Sequence, residues 1–216
     1  MNLATELKAV TESVRQQAPT EVMTAMETAT AKLAASGLAG KALKRGSRMP
    51  DFEIPDATGN IVSSTDLRAK GALLISFYRG HWCPYCSLEL KALQERLTDI
   101  TAKGATLVAI SPQTPDQSLT TQQKHALKFP VLSDSSNKVA RKFGLVYTLD
   151  ESLRPIYQAF GIDLQAHNGD GSFELPVPAT YLVDKNGIVV EAYVNVDYRE
   201  RLSLETALSW LDHINR

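Results

Sequence analysis

Residues 72–90 read ALLISFYRGHWCPYCSLEL, and the reading of this stretch decides the fold. Its first six residues form a short apolar run bounded by Gly71 and Gly80, the pattern of a central strand covered on both faces. From Cys86 onward, Leu90, Leu93, Leu97 and Ile100 fall along one stripe at helical spacing. Between strand and helix stand Cys83 and Cys86, the only two cysteines in 216 residues. The order strand, turn, helix places the pair at the carboxyl end of a central strand, where open α/β sheets carry their chemistry.

Working outward, residues 105–110 (ATLVAI) read as a second buried strand closed by Ser111-Pro112. A helix around 116–128, a short strand at 130–132 and a helix over 137–143 ended by Gly144 follow. Runs at 180–183 and 188–194 flank Lys185-Asn186-Gly187, and an Asn-Gly pair between alternating runs signals a hairpin. A last helix spans 203–214, with Leu204, Ala207, Leu208 and Leu211 on its buried side. Upstream, Asp56–Asn60 is a turn between two short strand-like runs. This order predicts an α/β fold, a mixed central sheet with helices on both faces.

The first 46 residues have a different texture. Leu3, Leu7, Val10 and Val14 make one amphipathic helix, and Val22, Met26, Ala29 and Leu33 a second after Ala18-Pro19-Thr20. Residues 1–46 are therefore expected to be a two-helix extension laid on the main domain, 47–216, or on a partner subunit in a homodimer. The basic residues Lys41, Lys44, Arg45 and Arg48 read as a solvated linker.

Composition narrows the function. Apolar residues make up 44% and charged ones 22%, with a net charge of −1, so no global field points to nucleic acid or acidic membranes. No apolar stretch approaches the roughly 20 residues of a membrane span. The start, MNLATELKAVTESV, lacks the basic and apolar regions of a secretory signal. Two cysteines make no disulfide framework. A reducing, cytoplasmic setting is expected, where a close cysteine pair is catalytic or metal-binding more often than structural.

At a helix N-terminus, unpaired N–H groups and about half a positive charge favour thiolate over thiol. Pro84 fits the first turn, where its missing N–H would have had no partner. A thiolate there attacks a disulfide sulfur or a peroxide oxygen, and the second cysteine closes an internal disulfide that an external dithiol reduces. Two other readings stand beside this one. With His81 the pair makes an H-x-C-x-x-C half-site for zinc, although a structural zinc needs four ligands. The cysteines are otherwise buried apolar fillers. The segment His167-Asn168-Gly169-Asp170-Gly171 reads as a flexible turn rather than a calcium loop. With no P-loop and no dinucleotide fingerprint, no cofactor is expected.

From about residue 47 onward the chain resembles the peroxiredoxins of the alkyl hydroperoxide reductase/thiol-specific antioxidant family, with their thioredoxin-like fold. The residues that carry this are Met49-Pro50-Asp51-Phe52, FYRGHWCPYCSLEL (77–90), Ser111-Pro112, LPVPATYLVDKNG (175–187) and Asp197-Tyr198-Arg199. Laid from Phe77, the pattern F-Y-P-x-x-x-T-x-x-C-x-x-E-L puts Arg79 at its proline, Cys83 at its threonine and Cys86 at the attacking cysteine. Glu89-Leu90 match its tail. Anchored on Trp82, the thioredoxin-type pattern W-C-P-x-C makes Cys83 the attacking thiol and Cys86 the resolving one. The resemblance implies a thiol peroxidase acting on hydrogen peroxide or organic hydroperoxides through Cys83 and Cys86. Electrons would come from a dithiol protein such as a thioredoxin or glutaredoxin, or from a small thiol. The alternatives are a disulfide oxidoreductase with Cys83 attacking, and a zinc-binding or redox-sensing module without turnover.

Two departures from the pattern shape the expected site. The threonine that holds peroxide is here Cys83, and Pro178-Ala179-Thr180 stands where related chains carry Arg-x-Thr. Pro178 there resembles the cis-proline that faces the cysteines of thioredoxins. Arg79 is a candidate replacement for the missing guanidinium or a solvent-facing side chain. Trp82 is a candidate for shaping the substrate surface or for capping the core. His81 reads as an exposed neighbour.

Overall fold

The computed structural model describes residues 2–214. The chain opens with helices α1 (Leu3–Gln17), α2 (Thr20–Ala35) and the short α3 (Leu38–Lys41). Asn2 caps α1 by accepting from the Thr5 N–H, and Gly37, at φ +71°, turns the chain between α2 and α3. The hairpin β1 (Glu53–Pro55) and β2 (Ile61–Ser63) closes around the Asp56 carboxylate, which accepts from the N–H groups of Thr58 and Asn60. There follow α4 (Ser64–Ala69), β3 (Ala72–Phe77), α5 (Pro84–Glu95), α6 (Leu97–Ala102), β4 (Ala105–Ser111), α7 (Pro115–Lys124) and β5 (Val131–Ser133). The remainder comprises α8 (Lys138–Lys142), β6 (Val146–Thr148), α9 (Arg154–Ala159), α10 (Leu164–Asn168), β7 (Glu174–Pro176), β8 (Ala179–Val183), β9 (Val189–Val194) and α11 (Leu204–Asp212).

The main sheet has five strands in the order β5-β4-β3-β8-β9. Strand β3 lies at its centre, parallel to β4 and antiparallel to β8, and all six of its residues are buried. Its side chains alternate between two cores, as a strand's period of two requires. Leu74 joins Leu107 and Leu182 under α1, α5 and α11, together with both cysteines. Leu73, Ile75 and Phe77 join Val108, Ile110, Tyr181 and Phe143 on the other face. Helices thus cover both faces of a mixed sheet, as the sequence predicts.

Two sequence expectations are corrected in detail, and one segment without an expectation is filled in. The stripe from Leu90 to Ile100 is split between α5 and α6, with the break at Arg96. The helix expected over 116–128 ends at Lys124, and Ala126 then adopts φ +49°. Residues 146–176, which carry no strong periodic signal, build a satellite of β6 paired with β7, enclosing α9 and α10. The satellite has its own core of Leu149, Leu153, Tyr157, Leu164 and Leu175.

The N-terminal helices touch two different parts of this frame. Leu3 and Leu7 of α1 enter the core beside α5, and Thr11 Oγ1 lies 3.2 Å from the Tyr85 hydroxyl. Helix α2 sets Ala25, Met26 and Ala29 against the satellite core. Gly144 anchors the segment that follows α3. At φ +73°, a Cβ there would fall 2.5 Å from the Lys41 carbonyl oxygen, so only glycine permits the approach. Among the described residues no helix is long and apolar enough to cross a membrane.

Candidate active site

The buried β3 ladder continues one residue past the strand, with Tyr78 N–H donating to the Ile110 carbonyl at 3.0 Å. The chain then turns through Arg79–Trp82 into α5. Gly80 is needed in this turn: a Cβ there would meet the Trp82 indole nitrogen at 2.3 Å. Cys83 is the N-cap of α5, its N–H bonded to the Gly80 carbonyl and its own carbonyl to the Ser87 N–H. Pro84 occupies the first helical position, and Cys86 sits in the same first turn. Both cysteines are reduced, and both are fully buried.

Each sulfur has its own arginine. Arg79, 3% exposed, donates from Nη2 to Cys83 Sγ at 3.2 Å and from Nη1 to the Tyr157 hydroxyl at 3.0 Å. Its guanidinium lies 4.0 Å over the Tyr198 ring and 5.1 Å from the Trp82 ring. Arg201 donates from Nη2 to Cys86 Sγ at 3.3 Å and from Nε to Glu89 Oε2 at 2.6 Å. Its Nη1 donates to the carbonyls of Tyr198 and Glu200. The Arg201 and Glu89 side chains are only 2% and 5% exposed.

This arrangement is a closed charge account. Burial pushes the Glu89 carboxyl above its usual range against the pull of Arg201; with Glu89 ionised on Arg201, the two guanidiniums and one carboxylate are made neutral by a single thiolate. A second thiolate would place an uncompensated charge in a buried site, at a high desolvation cost. His81 adds no charge, because burial and the neighbouring His167 hold it down at about 4.

The surroundings favour a thiolate on Cys83 over one on Cys86. Arg201 is already committed to Glu89, whereas the neighbours of Arg79 other than Cys83 are tyrosines and Trp82. Burial pushes Tyr147, which also lies against Arg79, up to about 12, so it stays neutral. Burial opposes a charge on Cys83, but the hydrogen bond from Cys86 and the charges of Arg79 and Arg201 outweigh it. They hold Cys83 well below the usual thiol value. Burial, with the hydrogen bond to Cys83 and its charge, pushes Cys86 well above that value.

The structure brings four of the five sequence candidates together: Cys83, Cys86, Arg79 and Trp82. Arg79 is buried against sulfur, so the solvent-facing reading is excluded. Trp82 is half-buried and packs edge-on against Tyr157 at 5.6 Å, and its indole N–H finds no acceptor. Pro178 differs from expectation. It is buried beside Ala179, which pairs with Phe77 at the end of β3, but no cis peptide occurs among the described residues. The likeness to a cis-proline therefore fails at the backbone. His81 is half-buried rather than exposed, with Nδ1 2.7 Å from Gln113 Nε2 and its ring against His167.

Sequence reasoning missed the site roles of Arg201, Glu89, Tyr157, Tyr147 and Tyr198. Glu89 was legible only as the tail of the cysteine motif, one helical turn beyond Cys86. Arg201 lies two residues past the recognised Asp197-Tyr198-Arg199 segment, with no spacing that ties it to the cysteines. Tyr147 and Tyr157 belong to the satellite.

Comparisons with known proteins bear on the family and the fold. Residues 45–192 match the sequence model of the AhpC/TSA family. A protein named putative peroxiredoxin in Mycobacterium tuberculosis is 30% identical over 154 residues, covering 71% of this chain and 87% of its own. The thiol-disulfide oxidoreductase ResA of Bacillus anthracis is 25% identical over 158 residues, 73% of each chain. The crystal structure of the peroxidoxin BcpB from Mycobacterium tuberculosis superposes with a TM-score of 0.63 at 22% identity. It covers 80% of this chain and 98% of the other, a likeness of fold.

Proposed function

The chain belongs to the AhpC/TSA family, and on that premise we propose that it is a thiol peroxidase in which Cys83 attacks the peroxide and Cys86 resolves the product. The observation that carries this reading is the buried Arg79 guanidinium 3.2 Å from Cys83 Sγ, in a cluster that a single thiolate makes neutral.

The same charge account orders the cycle. The Cys83 thiolate attacks one peroxide oxygen; an S–O bond forms as the O–O bond breaks. The departing alkoxide or hydroxide takes a proton from solvent, and Arg79 donates to the charge that develops on it. Cys83 is now a neutral sulfenic acid, so Arg79, Arg201 and Glu89 leave a net positive charge around Cys86. That charge favours loss of the Cys86 proton, with Arg201 beside the new thiolate. Cys86 attacks the Cys83 sulfur, a disulfide forms, and hydroxide leaves with a proton as water. Two thiols of a donor, a dithiol protein such as a thioredoxin or glutaredoxin or two small thiols, then restore the pair and become a disulfide. His81, held at about 4, takes no part as a base near neutral pH.

Complete burial of both sulfurs in the reduced state favours a small oxidant over a protein disulfide as the group attacked, which ranks the peroxidase above the disulfide oxidoreductase; reduction by a dithiol protein requires the oxidised pair to open. Among the described residues no group of three or more His, Cys, Asp or Glu side chains is arranged to hold a metal, which ranks zinc last. The cycle is placed in the cytoplasm, where a thiol pool keeps the pair reduced.

The test mixes the pre-reduced protein with hydrogen peroxide and follows tryptophan emission, since Trp82 adjoins Cys83. Rapid oxidation ending in a Cys83–Cys86 disulfide by peptide mapping is expected, together with steady peroxide-dependent consumption of a donor dithiol. Oxidation no faster than that of a free thiolate would remove the peroxidase reading.

A further inference from the structure

The inference that follows rests on the peroxidase reading and concerns which peroxides the site takes. Two cavities run between the N-terminal helices and the body, and each reaches one of the two arginines. The cavity under α1 is about 340 Å³ and includes Arg201, with Lys8, Arg199, Glu200 and Glu205 also in its lining. Its walls are strongly charged. The cavity under α2 is about 230 Å³ and includes Arg79.

The α2 cavity is apolar along most of its length. Ala29 and Leu33 of α2 form one wall, and Leu149, Leu153, Tyr147 and Tyr157 of the satellite form the other. Besides Arg79, its charged lining residues are Lys32 and Asp150, which pair with each other at 3.0 Å. A ligand inside therefore meets mainly hydrocarbon and aromatic surface, with Thr30, Ser36 and Thr148 also in the lining, and a guanidinium that touches the Cys83 sulfur. That guanidinium keeps a free donor: the buried Arg79 Nε–H has no acceptor among the described residues. An arginine with one N–H on the thiolate and another unused is placed to hold a peroxide oxygen against sulfur. Arg201 is more fully engaged: four of its five N–H groups are taken by Glu89, the Tyr198 and Glu200 carbonyls and Cys86, and its charge is paired with Glu89.

We infer that the α2 cavity is the binding site for apolar organic hydroperoxides, alkyl or aryl, and that α2 sets the size it accepts. The hydrocarbon part lies between α2 and the satellite, and the hydroperoxide group meets Arg79, whose Nη2 holds the Cys83 sulfur 3.2 Å away. The volume is below the roughly 300–1,000 Å³ of ordinary small-molecule sites, which suits molecules the size of tert-butyl or cumene hydroperoxide. The family match begins at residue 45, so α2 lies outside the matched segment and is an addition specific to chains with this extension. Hydrogen peroxide needs no hydrocarbon wall, and its reaction is indifferent to what fills the cavity beyond Arg79.

The experiment compares cumene hydroperoxide with hydrogen peroxide as oxidants of the pre-reduced full chain. In the wild type, cumene hydroperoxide is the better substrate by kcat/KM. Ala29→Trp, which fills the cavity from α2, lowers kcat/KM for cumene hydroperoxide at least tenfold and leaves hydrogen peroxide within about twofold. Leu33→Ala, which enlarges it, raises the ratio of the two. If Ala29→Trp does not fold, the Leu33→Ala ratio decides alone. An unchanged ratio in the folded variants, or an equal fall for both oxidants, would overturn the inference while leaving the peroxidase reading intact. Failure of the wild type to react with either oxidant would instead remove the peroxidase reading, and this inference with it.

Discussion

Cys83→Ser lowers kcat/KM for hydrogen peroxide by about 10²–10³, although the variant keeps a cysteine in the same helical turn. Cys86 is then relieved of the negative charge beside it, so its proton is lost more readily than in the wild type. A thiolate alone is not enough. Cys86 faces Arg201, whose Nε, Nη1 and Nη2 are held by Glu89, two carbonyls and the sulfur itself. One N–H of Nη2 is all that is left there to orient a peroxide and to meet the charge on the departing oxygen, and the guanidinium is already neutralised by Glu89. Cys83 has Arg79, with its unused Nε–H. Rates from single-turnover mixing of the reduced variant check this. A rate within a few-fold of wild type would assign the attack to Cys86, in line with the ungapped peroxiredoxin alignment.

Arg79→Gln produces a loss of similar size with a different signature. Removing the cation takes away a stabilising charge and a hydrogen bond from the Cys83 thiolate, so its pKa rises. The sign follows directly: the wild-type thiol is held well below its usual value, so its rate reaches its plateau at a lower pH than the variant's. In the variant the rate climbs with pH, about tenfold per unit, until the raised pKa is passed. A thiol of ordinary pKa is only a few per cent ionised at pH 7, which accounts for about 30-fold of the loss. The missing donor to the leaving oxygen accounts for the rest, a loss that alkaline pH does not recover. A flat profile with a small uniform loss would mean that Arg79 packs against the site without tuning it.

Much of the frame was legible because its signals are local. The six-residue run of β3, the Asn-Gly turn before β9 and the leucine stripe of α5 each follow from neighbouring residues. They suffice to place the cysteines at the end of a central strand. The satellite was not legible, because β6 pairs with β7 across an intervening segment with no period of its own. The chemistry of the site depends on that distant pairing. Whether Arg79 points to solvent or to sulfur is decided by Tyr157 of the satellite and Tyr198 beyond β9. No pattern around residue 79 contains them. Pro178 misled for the opposite reason: its place in the sequence matched a known proline, while its backbone followed the trans geometry of this sheet.

The central claim is that the cluster holds one thiolate and that Cys83 carries it. The most direct test is a pH titration of the reduced Cys86→Ser protein, following thiolate absorbance in the ultraviolet. Serine keeps a hydroxyl that can donate to Cys83, so the remaining sulfur retains its partners. The account predicts that Cys83 stays ionised well below the ordinary thiol value of about 8.5. Titration at or above that value would contradict it, and would mean that the thiolate of the wild type belongs to Cys86.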